Sequence, residues 1–346
     1  MQETVLKINL ENLRSNAKAF KKHTDRFLYA VVKADAYGHG ALMVTNALYE
    51  IADGFAVALV SEALAIRQAA RGKEVLIFTP PMTEEDVVLS ANNGFTLSVT
   101  DLKSAALIVK TAKKYGLTVD TQVKINTGMN RYGVYGSTLG RVCSILKKSG
   151  QVRVQGVYSH LYSHQRALCE EQRLRFLHAV KVCRTYFPLA RAHLASTFGS
   201  TLGEEYLFDG VRIGLGLYGY FPAEECETTL SLQPVMSAYA TCVAQRKCLF
   251  GGAGYGENRP ELYGKKISVL RGGYADGFGV SAEAGLLPSG LGDFCMDVCV
   301  TDGLAKVGES VCMFSDAKKV ASARNTSVYE VLCLMGLRAE KIYKND

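Results

Sequence analysis

The 346-residue sequence lacks any long apolar run. Even the apolar stretch 211–221 is interrupted by Arg212 and is dense in glycine, so no segment approaches the ~20 apolar residues that a membrane-spanning helix needs. The first ten residues also lack the basic region and apolar core of a secretory signal. These absences exclude a transmembrane protein, and we expect a cytoplasmic one.

Other classes of protein are disfavoured by what is missing. The ten cysteines form no C-x-x-C pair, which argues against a zinc site and a disulfide framework, so we expect reduced, mostly buried thiols. The net charge is +7, but the basic residues form no long tract, and nucleic-acid binding is therefore not indicated. The composition, 48% hydrophobic and 21% charged, is typical of a folded globular protein.

The first two thirds of the chain alternate short apolar runs with amphipathic stretches. The runs typical of buried strands lie at 28–33, 54–59, 75–79, 95–99, 121–126, 154–160, 192–197 and 211–217. Helical patterns separate them, for example at 61–70 and 168–186, where apolar residues recur every three or four positions. Eight such strands favour a (β/α)₈ barrel, although a doubly wound parallel sheet gives the same alternation.

The pattern changes near residue 223. Beyond it, short β patterns lie at 235–243, 266–270, 294–300 and 310–314, separated by glycine-rich turns. We therefore predict an α/β chain with a TIM-like barrel over 1–223 and a C-terminal, mainly β domain over 224–346. A first strand at about 3–10 is a candidate to pair with the C-terminal domain.

Chemically competent side chains follow several predicted strands of the barrel. Lys33 ends the first strand, His160 the sixth and Thr197 the seventh, and the C-terminal ends of barrel strands are where active sites lie. A lysine desolvated there is a candidate Schiff-base nucleophile, and a hydroxyl with glycine-rich backbone after strands seven and eight is typical of a phosphate site. Together they suggest pyridoxal phosphate, although each residue taken alone is more often structural.

Several segments resemble, in order, the motifs of the alanine racemase family. Residues 31–40, VVKADAYGHG, resemble its pyridoxal-phosphate signature. Residues 124–133 and 212–219 resemble its Lys-x-Asp-Thr-Gly-Met-x-Arg-x-Gly and Arg-x-Gly-x-x-x-Tyr-Gly segments. Further matches lie at 254–256, 273–277, 295–297 and 329–330. The resemblance covers residues 7–343 and implies a barrel followed by a C-terminal β domain.

The resemblance implies an amino-acid racemase, an isomerase that uses two bases. Lys33 would hold the cofactor as a Schiff base and act on one face of the substrate Cα. Tyr255 from the second subunit of a homodimer would act on the other face, assisted by His160 and Arg212. Arg212 would also face the pyridine nitrogen and leave it unprotonated, which weakens the electron sink and suppresses side reactions.

Binding residues follow from the same resemblance. The implied cofactor-binding set is Lys33, Tyr37, Arg131, His160, Ser196, Thr197, Arg212, Gly214, Leu215 and Tyr329. Arg131 would also contact the substrate carboxylate, and Tyr274, Cys295 and Met296 of the second subunit would line the substrate entrance. Lys124 matches a lysine that is carbamylated in some members of the family, and an unmodified lysine paired with a neighbour is the alternative.

Four positions depart from the family pattern. Asn126 replaces a usual Asp, Ser196 a frequent Asn, Thr197 a usual Ser and Asp293 a common Arg. Thr197 keeps the hydroxyl that a phosphate oxygen needs. Asn126 could alter how Arg131 is held, and Asp293 lies close to the expected pocket mouth, so substrate preference is the property most affected.

Four hypotheses for the function follow. Alanine is the expected substrate, which would place the enzyme in D-alanine supply for peptidoglycan and the cell wall. A serine racemase of the glycopeptide-resistance type, or a broad-specificity racemase, is the alternative, because a small apolar pocket rejects one added hydroxyl only about 10²-fold. A non-catalytic pyridoxal-phosphate-binding regulator is disfavoured because such proteins consist of the barrel alone, and a barrel decarboxylase because it lacks the Gly-Tyr-Gly segment.

Overall fold

Eight parallel strands close into a barrel in the computed structural model, which describes residues 4–222, 226, 228–278, 290–303 and 305–345. In chain order they are β2 (Phe27–Val31), β3 (Gly54–Val57), β4 (Glu74–Ile77), β5 (Thr96–Val99), β6 (Val119–Lys124), β7 (Val152–Tyr158), β8 (Arg191–His193) and β9 (Gly210–Ile213). The barrel closes where β9 pairs with β2, with Ile213 opposite Ala30. The predicted barrel is therefore confirmed, and the open doubly wound sheet is wrong.

Helices precede and follow the strands and form the outer layer of the barrel. They are α1 (Leu10–Thr24), α3 (Ala41–Leu48), α4 (Val60–Ile66), α5 (Glu84–Asn92), α6 (Leu102–Tyr115), α7 (Gly136–Ser149) and α8 (Arg166–Tyr186). A one-turn segment, α2 (Lys33–Tyr37), follows β2 and has left-handed φ angles at residues 34–37. Strands β3 and β5 are buried at every position. Helices cover one face of the barrel wall and the interior fills the other, so these strands are buried on both faces.

A second, mixed sheet lies beside the barrel. Its strands are β1 (Val5–Asn9), β10 (Met236–Lys247), β11 (Lys266–Arg271), β12 (Gly290–Leu291), β13 (Val298–Asp302), β14 (Ser310–Phe314) and β15 (Glu340–Lys344). Strand β1 runs antiparallel to β10 and parallel to β15, so the start of the chain belongs to the sheet formed by its end. The predicted domain boundary near residue 223 lies outside the described residues and stays a prediction.

Two helices that the sequence pattern did not predict complete the C-terminal unit. They are α9 (Ala317–Ala323) and α10 (Val328–Met335). Helix α10 packs against α2, where the ring of Tyr329 lies 5.9 Å from that of Tyr37. On β15, Lys341 forms an ion pair with Asp35 at 3.2 Å. The C-terminal unit is thus docked on the segment that contains Lys33.

Features that would indicate other classes of protein are missing from the described part of the chain. Its helices include none that is both long and apolar enough to cross a membrane. Within the same residues, no group of three or more His, Cys, Asp or Glu side chains is arranged to hold a metal ion. All ten cysteines are free thiols, and six of them are buried.

Candidate active site

A cavity of about 320 Å³ lies at the C-terminal ends of the barrel strands. Eleven of the predicted site residues line it: Lys33, Tyr37, Lys124, Arg131, His160, Ser196, Thr197, Arg212, Gly214, Leu215 and Tyr329. Four of these side chains are lysine or arginine, and the described wall of the cavity contains no carboxylate. The cavity is therefore suited to an anionic ligand.

Lys33 lies at the start of a left-handed turn. The four residues that follow, Ala34, Asp35, Ala36 and Tyr37, have φ angles between 51° and 55°. Each non-glycine residue in this conformation costs roughly 1–2 kcal/mol, so the turn persists only because surrounding structure holds it. As a result, Lys33 and Tyr37 lie four positions apart and both line the cavity.

The Lys33 amine is shifted towards its neutral form. Burial lowers the pKa of Lys33, and the nearby Arg131 cation lowers it further, while the Glu62 carboxylate acts in the opposite direction. A neutral amine is both a nucleophile and a base. Lys33 is therefore prepared for the covalent and proton-transfer roles that the sequence resemblance implies.

Arg212 is a buried cation that is held by neutral acceptors. Its side chain is only 3% exposed, and it donates hydrogen bonds to the carbonyl oxygens of His193 at 2.9 Å, Ser159 at 2.6 Å and Leu194 at 3.0 Å. Burial lowers the pKa of Arg212 to about 10, so the guanidinium stays charged at neutral pH. These bonds fix both terminal nitrogens of the guanidinium.

Two histidines beside Arg212 are kept neutral. Burial and the Arg212 charge lower the pKa of both His160 and His193 well below the ordinary value. Arg212 donates to Nδ1 of His193 at 2.7 Å and lies 3.4 Å from Nδ1 of His160, which requires unprotonated Nδ1 atoms. The Nε2–H of His193 then donates to Gln122 Oε1 at 2.6 Å. Each histidine is thus fixed as one neutral tautomer.

Hydroxyl groups and bare backbone line another part of the cavity. Thr197 Oγ1 accepts a hydrogen bond from Gly216 N at 3.1 Å. Gly214 leaves space that a side chain would fill, because a Cβ atom there would lie 2.6 Å from Tyr37 Oη. Together with Tyr329, these groups form a cradle of hydroxyls around an open backbone. The cavity fits pyridoxal phosphate. That cofactor needs an amine to hold its aldehyde, which Lys33 offers, and it needs hydrogen-bond donors and positive charge around its phosphate, which this cradle and the cationic wall offer.

Lys124 is a buried lysine at the end of β6. Its side chain is 5% exposed, and its Nζ lies 4.8 Å from the centre of the Tyr158 ring. Among the described residues it forms no ion pair with a carboxylate. Burial and the positive charges of Arg212 and Arg131 lower the pKa of Lys124 well below the ordinary value. The surroundings of Lys124 therefore favour a neutral amine.

Asn126, which replaces the usual aspartate, forms hydrogen bonds within the loop that follows it. Its Oδ1 accepts from the backbone amides of Gly128 at 3.0 Å and Asn130 at 3.2 Å, and its Nδ2 donates to Asn130 Oδ1 at 2.9 Å. The next residue, Arg131, is exposed, with its guanidinium 5.7 Å from the Tyr132 ring centre. Asn126 thus acts on Arg131 through the shape of the loop.

The other four predicted residues lie outside this cavity, on the C-terminal unit. We call Tyr255, Tyr274, Cys295 and Met296 the exposed patch; Tyr255 is 64%, Tyr274 38% and Met296 53% exposed. The backbone links them, because Tyr274 N donates to Cys295 O at 3.1 Å and Asp293 N donates to Tyr255 O at 3.2 Å. Within one chain, therefore, the predicted residues form two separate groups.

Part of the cavity wall was not predicted from the sequence. The additional lining residues are Val31, Ala58, Phe78, Thr79, Tyr132 and Tyr158. Tyr158 is the clearest omission, because its hydroxyl lies 2.6 Å from Ser98 Oγ and its ring stacks on His193. Tyr158 and His193 both end barrel strands, so the rule that singled out Lys33 could have found them.

Comparisons with known proteins indicate the same family along the whole chain. The family model described as alanine racemase, N-terminal domain, matches residues 8–222, and the one described as alanine racemase, C-terminal domain, matches residues 235–343. An alanine racemase of Desulfovibrio desulfuricans is 30% identical over 97% of this chain and 96% of its own length. One from Streptococcus pyogenes serotype M5 is 30% identical, with 98% of each chain covered.

Solved structures agree with the sequence comparisons. The alanine racemase of a D-cycloserine-producing Streptomyces lavendulae has a TM-score of 0.89 and 26% identity, covering 100% of this chain and 98% of its own. That of Clostridium difficile 630 also has a TM-score of 0.89 and 26% identity, covering 100% and 97%. The similarity thus includes the barrel, the second sheet and their relative arrangement.

Proposed function

The chain belongs to the alanine racemase family and is an amino-acid racemase, and from that premise we propose that it prefers alanine, uses pyridoxal phosphate and works as a homodimer with shared sites. The observation that carries the proposal is the convergence of eleven residues from distant parts of the chain on one cationic cavity. D-Alanine for the cell wall is the corresponding product in the L-to-D direction.

The cavity residues hold the cofactor in this proposal. Lys33 would hold the cofactor at its aldehyde group, and Tyr37, Thr197 and Tyr329, with the Gly214 and Leu215 backbone, would hold its phosphate. Bound pyridoxal phosphate supplies an electron sink that makes the substrate Cα–H acidic. Arg212 is fixed by three carbonyl groups, and its guanidinium does not readily release a proton to the pyridine nitrogen. The cofactor would therefore be a weaker electron sink than one with a protonated ring.

Two side chains move the proton that inverts the stereocentre. Lys33, whose pKa burial lowers, takes or returns the proton on one face of Cα. Tyr255 of the second subunit serves the other face, with His160 and Arg212 adjusting its acidity. Two groups are required because removal from one side and return to the other inverts the centre, and each must come within hydrogen-bond distance of the proton.

Substrate binding uses the remaining residues. Arg131 lines the cavity and pairs with the substrate carboxylate, since a guanidinium binds a carboxylate through two parallel hydrogen bonds. Tyr274, Cys295 and Met296 of the second subunit line the entrance. The exposure of Tyr274 and Met296 in a single chain supports this assignment, because residues that complete a neighbour's site must be accessible before assembly.

Lys124 is carbamylated in this proposal. Its neutral amine attacks the carbon of CO₂, a C–N bond forms, and one proton leaves to solvent, so that a carbamate anion replaces a buried amine. The anion lies among the cations of Arg131 and Arg212, whose charges already lower the pKa of Lys124. In ¹³CO₂-equilibrated protein we expect a carbamate carbon signal that Lys124→Ala lacks; a wild-type spectrum without that signal contradicts the assignment.

The substrate preference is tested by chiral analysis of products. Cofactor-saturated protein is given L-alanine and, in separate reactions, L-serine, and both enantiomers are followed with time. We expect D-alanine to form with the higher kcat/KM. Faster formation of D-serine would overturn the alanine assignment and favour a serine racemase, and inversion of neither amino acid despite bound cofactor would overturn both.

A further inference from the structure

The Glu62 carboxylate bonds to two separate segments of the chain. Its Oε2 accepts hydrogen bonds from the backbone amides of Ala58 at 2.7 Å and Leu59 at 3.2 Å. These bonds cap the start of α4 from the Glu62 side alone, because Leu59, the residue before the helix, has no side-chain acceptor. Its Oε1 accepts a third bond, from Ala34 N at 2.7 Å. Glu62 therefore connects the end of β3 with the residue that directly follows Lys33.

Ala34 is the first residue of the left-handed turn, and that turn needs support. Within the turn, Gly38 N donates to Ala34 O at 3.0 Å and Gly40 N to Asp35 O at 2.9 Å. Asp35 Oδ1 also accepts from Ala41 N at 2.7 Å. All of these bonds join the turn to residues 38–41, which follow it. At its start, the Ala34 amide donates to an ionised acceptor, which makes the stronger kind of hydrogen bond.

We propose that Glu62 is a positioning residue that fixes the start of the left-handed turn and thereby aims the Lys33 side chain at the reacting carbon. The inference rests on the proposed function for the role of Lys33, but the contact between Glu62 and Ala34 is independent of it. A capping role alone does not require the third bond, because the cap of α4 uses only Oε2.

Asp86 provides a matched control. It is the corresponding residue in the capping box of α5, where its Oδ2 accepts from Met82 N at 2.9 Å and Thr83 N at 3.0 Å. Its contacts are confined to the start of its own helix, so Asp86→Asn neutralises a capping carboxylate without touching the turn. Glu62→Asp is the second control, because aspartate also caps a helix but is one methylene too short to reach Ala58 and Ala34 together.

The test measures amide hydrogen exchange in the cofactor-free protein and kcat/KM for alanine in the cofactor-loaded protein. We expect Glu62→Gln and Glu62→Asp to accelerate exchange of residues 34–37 about tenfold or more and to lower kcat/KM about a hundredfold, as small misplacements of a catalytic group do. Asp86→Asn should accelerate exchange only at the first turn of α5 and leave kcat/KM unchanged.

A cap without a positioning role gives a different result. In that case Glu62→Gln accelerates exchange only at the first turn of α4, and Glu62→Asp behaves like the wild type in exchange and in kcat/KM, which would overturn the proposal. Glu62→Asp keeps the charge and the cap, so it remains informative if Glu62→Gln folds poorly. If the wild type fails to racemise alanine, the proposed function fails, while the exchange of residues 34–37 still decides whether Glu62 holds the turn.

Discussion

The barrel cavity and the exposed patch each contain part of the predicted set of site residues, but the two regions differ in how far their side chains are buried and hydrogen-bonded. In the cavity, Arg212 and Lys124 are 3% and 5% exposed, and Arg212 is fixed by several hydrogen bonds. In the patch, Tyr255 and Met296 are 64% and 53% exposed. One chain therefore buries the Lys33 side of the proposed racemase site and leaves the Tyr255 side exposed.

The C-terminal unit takes part in both halves. Through α10 it supplies Tyr329 to the cavity of its own chain, and through Lys341 it holds Asp35 within the left-handed turn. The same unit contains the exposed patch. Docking of this unit on the barrel thus completes the cavity wall within the chain, whereas in the proposed function a second copy completes the substrate site.

The largest effect that separates the two regions is expected for Lys33→Ala. This substitution removes the lysine at the start of the turn, and with it the covalent attachment of the cofactor and one of the two bases. The rate of racemisation should therefore fall on the order of 10³-fold or more, and the visible absorbance of the bound cofactor should be lost. Lys110→Ala on α6, where a lysine pairs with Glu84 on the surface, is the control and should change neither. Near-normal turnover by Lys33→Ala would exclude the assignment.

A smaller effect concerns how pH acts on the buried region. His39 is fully buried beneath the turn, its Nδ1–H donates to the carbonyl oxygens of Ala36 and Tyr37, and burial lowers its pKa from 6.5 to about 4. Between pH 6.5 and pH 4 the unfolded chain binds a proton on His39 that the folded chain does not bind. The contribution of His39 to the free energy of unfolding is therefore complete above pH 6.5, and it falls by about 3 kcal/mol as the pH drops towards 4.

Urea unfolding between pH 4 and 7 measures this effect. His39→Asn keeps a donor near the Nδ1 position and removes the titration, so its free energy of unfolding should depend less on pH than that of the wild type. His178→Asn, at an exposed position on α8, should leave the pH dependence as it is. Identical curves for His39→Asn and the wild type would show that His39 does not titrate in this way.

The smallest effect tests the cradle. Gly214→Ala adds a Cβ that would lie 2.6 Å from Tyr37 Oη, which displaces the tyrosine hydroxyl and should weaken pyridoxal-phosphate binding about tenfold, or 1.4 kcal/mol. Gly136→Ala, where a Cβ meets nothing within 4 Å, is the matched control. Cofactor titration by fluorescence measures both, and equal dissociation constants for the two variants would place the phosphate elsewhere.

Much of the fold could be predicted because buried strands have a strong sequence signal. Each predicted barrel run contains or overlaps an observed strand, and the prediction at 310–314 coincides with β14. Errors concentrate where the chain leaves a sheet to form a site. The prediction at 192–197 extends beyond β8, which ends at His193, and the prediction at 294–300 begins before β13, because Cys295 N donates to Val298 O and closes a turn first.

The site could be predicted as a set of residues but not as a geometry. Strand ends and family motifs identified Lys33 and Arg212, yet the left-handed turn at 34–37 could not be foreseen, because Ala and Tyr disfavour that conformation and Asp adopts it only as a single residue, not in a run of four. It is imposed by long-range contacts with Glu62 and Lys341. The neutral tautomer of His193 has the same origin, since Arg212 and Gln122 determine it across the barrel.

The measurement that tests the account most directly mixes two defective variants. Lys33→Ala lacks the base of the cavity, and Tyr255→Phe keeps the cofactor absorbance but should slow inversion from one enantiomer more than from the other. After subunit exchange, verified by mass-tagged chains, statistical mixing leaves about a quarter of the sites intact, and racemisation should recover to about that fraction of the wild-type rate. Verified mixed dimers with no activity above the sum of the separate variants would contradict a site shared between two copies.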